Sequence, residues 1–220
     1  MDKKEQILQL TIQQGVLPLY FNKDEEVSIN VLKALYEAGI RTVEYTNRGE
    51  AALNNFKVLR KVCDTELSGM YLGIGTIKNG EQAKAFVDAG ADYLISPGVV
   101  EEAAKVAEQN NLPYVPGAMT PTEIIRAENM GCKLVKIFPG NIVGPGFVSA
   151  IRELFSGLNF IITGGVEPEE GNLRGWFQAG ASAVGMGSKL ITKKILEDKD
   201  YGKITELTKD SLKLIELVRK

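Results

Sequence analysis

The chain has 220 residues, 44% of them hydrophobic, enough to bury a substantial core in one large domain or two small ones. A formal net charge of -2, with only short like-charge clusters such as Asp24-Glu25-Glu26, provides no electrostatic footprint for nucleic acid. The opening MDKKEQILQL lacks the apolar centre of a signal peptide, and no apolar run approaches the ~18 residues of a membrane span, so a soluble cytoplasmic protein with neither a nucleic-acid nor a membrane partner is expected.

Helix-like and strand-like segments alternate from end to end without a composition break, which predicts one α/β domain over residues 1–220. Lys3 to Gln14 carries Ile7, Leu8, Leu10 and Ile12 among polar residues and predicts a leading helix before Gly15. Strand-like runs follow at Val16-Tyr20, Arg41-Tyr45, Met70-Ile74, Asp92-Ile95, Pro113-Val115, Lys133-Phe138, Asn159-Thr163 and Ala181-Gly185, eight in all. Between them, Asn22 with Glu25, Asn79 with Gln82, and Thr120-Pro121 with Glu123 read as helix starts, and Gly39, Gly90, Gly131 and Gly180 as helix C-termini. The last helix, from about Tyr201, sets Ile204, Leu207, Leu212, Ile215 and Val218 roughly on one face, to dock on the domain or on a neighbouring subunit. Eight β/α units in a domain of this size predict a (β/α)8 TIM barrel with an extra N-terminal helix. A doubly wound open sheet is the alternative, but it would show fewer strands or a Gly-rich first turn.

The chain has no histidine, which removes the usual general base, the Ser-His and Cys-His nucleophile pairs and the commonest metal ligand. Cys63 and Cys132 are too few for a disulfide framework or a cysteine-rich zinc site and read as core filler. No metal and no cofactor are expected, and chemistry must rest on lysine, carboxylates, hydroxyls and backbone. Against that background Lys136 stands out, lodged between Leu134-Val135 and Ile137-Phe138. Burial disfavours a charged amine, so such a lysine is paired, neutral or used in chemistry.

Four strands, the second, fourth, sixth and eighth, each follow a glycine at the end of a helix. Five residues beyond those glycines come Glu44, Ile95, Lys136 and Gly185, and alternate strands of a barrel contribute one layer of four inward side chains. Glu44 and Lys136 are therefore predicted to face each other. Thr46, Pro97, Phe138 and Gly187 would form the rim above, with open space left by Gly185 and Gly187. A buried ion pair without catalytic use is the plainer reading of Glu44 and Lys136, but such pairs stabilise poorly compared with apolar packing.

Thr163-Gly164-Gly165 follows the seventh strand, and Gly185-Met186-Gly187-Ser188 follows the eighth at an expected helix start. In these barrels the two loops are a frequent phosphate site, which predicts a phosphorylated small-molecule substrate. Arg48, past the second strand, is a fork donor for a carboxylate or phosphate, and Gly73-Ile74-Gly75-Thr76 offers either close backbone approach and a hydroxyl to a ligand or a simple tight turn.

With these residues assembled, the chain resembles the 2-keto-3-deoxy-6-phosphogluconate (KDPG)/4-hydroxy-2-oxoglutarate (KHG) aldolase family from about Gly15 to the C-terminus. The resemblance is carried by VEYTNRG at 43–49, GIGT at 73–76, ISPG at 95–98, PYVPGAMTPTE at 113–123, KLVKIFPG at 133–140, TGG at 163–165 and GMGS at 185–188, in that order. It implies that Lys136 is the Schiff-base lysine and Glu44 the general acid/base. Arg48 and Thr76 would hold the substrate carboxylate, Pro97 and Phe138 would line the pocket, and Thr163, Gly164, Gly165, Gly187 and Ser188 would form the phosphate end. It further implies cleavage of KDPG to pyruvate and glyceraldehyde 3-phosphate by a homo-oligomer, a trimer. Two departures, Thr46-Asn47-Arg48-Gly49 for Thr-Leu-Arg-Thr and Gly140 for the usual alanine, bear on substrate preference. The alternatives are a KHG aldolase, a phosphogalactonate-type variant, and a barrel that binds a phosphometabolite without turning it over.

Overall fold

The computed structural model describes residues 2–220. It contains strands β1 (Val16–Tyr20), β2 (Thr42–Thr46), β3 (Tyr71–Gly75), β4 (Tyr93–Ile95), β5 (Tyr114–Val115), β6 (Gly117–Ala118), β7 (Leu134–Ile137), β8 (Asn159–Thr163) and β9 (Ala183–Met186). The helices are α1 (Lys3–Gln14), α2 (Glu25–Glu37), α3 (Ala52–Glu66), α4 (Gly80–Asp88), α5 (Glu101–Gln109), α6 (Pro121–Asn129), α7 (Gly140–Ile151), α8 (Glu170–Ala179), α9 (Lys193–Glu197) and α10 (Tyr201–Val218). None of the described helices is long and apolar enough to cross a membrane.

All strand pairs are parallel, in the order β5-β4-β3-β2-β1-β9-β8-β7-β6. β5 and β6, at the two ends of that order, are two halves of one extended segment split at Pro116. Proline has no N–H for the ladder. The upstream half pairs with β4 and the downstream half with β7, and the Lys136 N–H donates to the Pro116 carbonyl at 2.9 Å. The sheet thus closes on itself as a (β/α)8 barrel. The expected fifth strand at Pro113-Val115 corresponds to the upstream half of this segment.

Alternation divides each strand between two cores. Leu17, Tyr93, Ile95, Val115, Leu134, Ile161 and Ala183 point inward and pack with Ile7 of α1. The leading helix therefore closes the N-terminal end of the barrel. Val43, Tyr45, Leu72, Ile74, Val135, Ile137, Ile162 and Val184 point outward beneath the helices, among Leu32, Leu35, Phe56 and Leu59. Each such aliphatic side chain, fully buried, contributes about 1.5–3 kcal/mol. α10 docks on the barrel against α2 and α8, with Ile204, Ile215 and Val218 buried.

The helix signals are mostly as expected. Asn79 accepts from the Gln82 N–H, Thr120 and Glu123 form a reciprocal capping box, and Gly39, Gly90, Gly131 and Gly180 all take positive φ. α2 differs: its cap is Asp24, which accepts from the Val27 N–H, while Asn22, two residues earlier, accepts from the Asp24 N–H. Either residue satisfies the capping preference, and the chain starts the helix at the later one.

Candidate active site

β7 presents Val135 and Ile137 to the helices, which leaves Lys136 facing the barrel interior. β2 does the same with Val43 and Tyr45 outward and Glu44 inward. Lys136 and Glu44 are 7% and 1% exposed, and Nζ lies 3.4 Å from Oε2. That is long for a charge-assisted bond, which usually spans about 2.7–2.9 Å. The ammonium also lies 5.6 Å from the centre of the Phe138 ring, within cation–π range.

The pairing registers support the layer in which this pair was expected. Two strands along from Glu44 the ladder reaches Tyr93, and two along from Lys136 it reaches Ala183. A barrel of this type slips one residue per strand around its circumference, which brings Ile95 and Gly185 to the height of Glu44 and Lys136.

The glycines of this region make room for protein side chains. A Cβ at Gly75 would collide with the Glu44 carboxylate, and one at Gly73 with the Tyr93 ring. The GIG run of β3 is thus a slot for Glu44 and for the tyrosine beneath it, which neither a tight turn nor ligand approach had anticipated. Tyr93 donates to the Val43 carbonyl at 2.6 Å. Burial first, and then the neighbouring Glu44 charge, raise the Tyr93 pKa well above its ordinary value, so it stays a neutral donor. The open space expected at Gly185 is likewise filled, because the Thr163 hydroxyl and Leu19 occupy the place of a side chain there, and Leu19 flanks Gly187.

Thr76 follows the slot with φ 64°, a left-handed conformation that costs a β-branched residue about 1–3 kcal/mol. Burial pushes the Cys63 thiol up to about 12 and Cys132 up to about 11, so both are protonated core residues.

At the C-terminal mouth a cavity of about 370 Å³ gathers Arg48, Phe138, Thr163, Gly164, Gly165, Gly187 and Ser188, together with Lys189, Leu19 and Phe21. Thr76 and Pro97 lie outside its lining: Thr76 follows the Glu44 slot, and the Pro97-Gly98 turn sits against Gly117, the pairing partner of Lys136. The segment after β9 is not a helix. The Leu190 and Ile191 N–H groups both donate to the Gly187 carbonyl in a turn, and α9 begins only at Lys193. The expected helix dipole at Ser188 is therefore missing.

On the other side of the cavity, Asn172 pins the loop after β8, accepting from the Glu167 N–H and donating to the Gly165 carbonyl, both at 3.0 Å. Gly140 lets α7 approach that loop, since a Cβ there would stand 2.7 Å from the Gly164 carbonyl. At the other departure, Gly49 takes φ 118° against the Phe21 ring. Tyr93, Asn172 and Lys189 escaped sequence reasoning. Only Lys189 carried a signal, as the residue next to GMGS. Wider clefts of about 460 and 620 Å³ lie at the N-terminal end of the barrel, away from Lys136 and Glu44.

A family model described as KDPG and KHG aldolase matches residues 7–207. The KHG/KDPG aldolase of Escherichia coli strain K12 is 32% identical over 198 residues, 90% of each chain. The 2-dehydro-3-deoxy-phosphogluconate aldolase of Dickeya dadantii is 29% identical over 198 residues, again 90% of each. Among solved structures, the KDPG aldolase of Legionella pneumophila, with pyruvate captured as a covalent carbinolamine, superposes with a TM-score of 0.82 at 25% identity, covering 91% of this chain and 95% of that one.

Proposed function

This chain belongs to the KDPG and KHG aldolase family, and from that premise we propose a working site in which Lys136 is the Schiff-base nucleophile and Glu44 the proton carrier. The enzyme is a Schiff-base aldolase, and its substrate on this reading is 2-keto-3-deoxy-6-phosphogluconate. The neutral Lys136 amine adds to the C2 carbonyl to give a carbinolamine. Glu44 protonates the departing hydroxyl, water leaves, and an iminium forms. The Glu44 carboxylate then takes the C4 hydroxyl proton. The C3–C4 bond breaks, its electron pair moves into the iminium as an enamine, and glyceraldehyde 3-phosphate departs. Glu44 returns the proton to C3, and water hydrolyses the new iminium to pyruvate and free Lys136.

The observation that carries this reading is the 3.4 Å approach of a buried amine and a buried carboxyl group below the barrel mouth. A single carboxylate near Nζ is within reach of atoms bonded to C2 and C4 once the substrate is attached. Arg48 and Thr76 serve the C1 carboxylate, Pro97 and Phe138 the walls, and Thr163, Gly164, Gly165, Gly187 and Ser188 the phosphate. We take the enzyme to be a cytoplasmic homo-oligomer, a trimer by family resemblance.

Borohydride reduction in the presence of pyruvate, followed by peptide mapping, tests the nucleophile. A stable adduct on Lys136 is expected in the wild type and none in Lys136→Met, whose turnover should fall by at least about 10³-fold. An adduct on another lysine would overturn the assignment.

A further inference from the structure

The mouth cavity is lined by two cationic side chains, Arg48 and Lys189. Lys189 directly follows Gly187-Ser188, and its Nζ lies 2.7 Å from Oε1 of Glu167, on the loop that continues from Gly164-Gly165. The ion pair therefore bridges the two glycine turns. Because the segment after β9 is a turn, an anion there gains no helix dipole. The turn uses the N–H groups of Leu190 and Ile191 and leaves those of Ser188 and Lys189 without a carbonyl partner among the described residues. Two amides alone hold a phosphate dianion weakly, so a cation is needed.

We propose that Lys189 selects the phosphorylated substrate, its ammonium exchanging from Glu167 onto the terminal phosphate of the bound 2-keto acid. This rests on the reading above, that the substrate is phosphorylated and enters at this mouth. The exchange is favourable in direction. The Lys189 and Glu167 side chains are 56% and 37% exposed, so water screens their attraction, whereas a phosphate carries nearly twice the charge and three acceptor oxygens. Asn172 holds the Glu167 backbone, so the carboxylate can let go without the loop moving. Glu167 also raises the lysine's affinity for its proton, first through its hydrogen bond and then through its charge, which keeps Lys189 cationic until the phosphate arrives.

The test compares kcat and KM for 2-keto-3-deoxy-6-phosphogluconate and for 4-hydroxy-2-oxoglutarate in the wild type, Lys189→Ala, Lys189→Arg and Glu167→Gln. For Lys189→Ala, kcat/KM toward the phosphorylated substrate should fall roughly 10- to 100-fold, mostly through KM, as expected for one lost charge-assisted bond. The unphosphorylated substrate should change little, Lys189→Arg should restore much of the loss, and Glu167→Gln should leave the phosphate preference intact or increased. Equal losses on both substrates, or none on either, would overturn the role of Lys189 while leaving the aldolase assignment standing. A wild type that forms the Lys136 adduct but shows no preference for the phosphate would instead overturn the substrate reading, and this inference with it.

Discussion

Asp92 and Glu44 are buried carboxylates at opposite ends of the same barrel, and their surroundings differ. Asp92, just before β4 at the N-terminal end, accepts from Lys3 at 2.8 Å, Arg60 at 2.6 Å and the Leu72 N–H at 2.8 Å. Glu44, at the mouth end, accepts from Lys136 alone among the described residues, at 3.4 Å. A carboxylate surrounded by short donors is fixed in place, which suits a clasp between α1, α3 and the sheet. One with a single long partner keeps lone pairs free for another proton, which suits transfer. Partner saturation thus separates a structural acid from the proposed working acid where burial does not.

The largest expected effect follows from exchanging the two roles. Glu44→Gln should lower kcat by about 10²–10⁴-fold, the usual worth of a positioned acid/base, with little change in the urea unfolding midpoint, because the variant loses only one long contact of 3.4 Å and the amide keeps an oxygen to accept it. Asp92→Ala should do the opposite. It leaves the Leu72 N–H and Nη1 of Arg60 without their acceptor, although Arg60 keeps Asp64 through Nη2, and should cost roughly 3 kcal/mol, the low end for a broken buried pair because Lys3 is already more than half exposed. Turnover of the folded fraction should be preserved. Steady-state kinetics and urea titrations on both variants read the two effects separately, and a slow, stable Asp92→Ala would break the comparison.

A smaller effect resolves the boundary between the two ends on one strand. Gly73 and Gly75 are neighbours on the inner face of β3, one beside Tyr93 and the other beside Glu44. Gly73→Ala forces the tyrosine ring and its bond to Val43 aside and should cost about 1–3 kcal/mol of stability, as overpacking does. Gly75→Ala displaces the Glu44 carboxylate and should cost on the order of 10²-fold in kcat, since displacements near 1 Å have that effect. Thermal melts beside initial rates would show it. Equal loss of stability in both variants would mean that Glu44 is as much a packing residue as Tyr93.

These positions also show what the chain reveals before it folds. Lys136 was legible because a charge in an apolar strand violates the local pattern, and Glu44 because barrel strands that leave helices at equivalent glycines repeat their register. The purpose of Gly73 and Gly75 was not legible, since a glycine does not announce which distant side chain fills its place. Nor was the break at Pro116, which leaves halves too short to carry a periodic signal. Lys189 stands next to GMGS in the sequence, but its pairing appears only when the loop after β8 brings Glu167 to it. The helix expected at Ser188 failed for a related reason: a glycine-rich turn reads the same whether a helix or two carbonyl bonds follow it.

The smallest effect tests whether the capping box of α6, which begins three residues past β6, belongs to the working end. Burial opposes the charge on Glu123, but the N–H groups of Met119 and Thr120, the Thr120 hydroxyl and Arg126 together hold its carboxyl below the usual carboxylate range. A depressed folded value means that the unfolded chain binds the proton more readily. The contribution is therefore fully present above the unfolded pKa of about 4.3 and is lost as pH falls through the lower folded value. Glu123 is only partly buried, so its share is screened, and Thr120→Ala should cost no more than about 1 kcal/mol. Urea midpoints measured from pH 7 to pH 3 should converge for wild type and Thr120→Ala at the acid end, with kcat at pH 7 unchanged. A fall in kcat without a matching loss of stability would extend the working end past β6, because Gly117 is the pairing partner of Lys136 and a shift in that strand would carry to the amine.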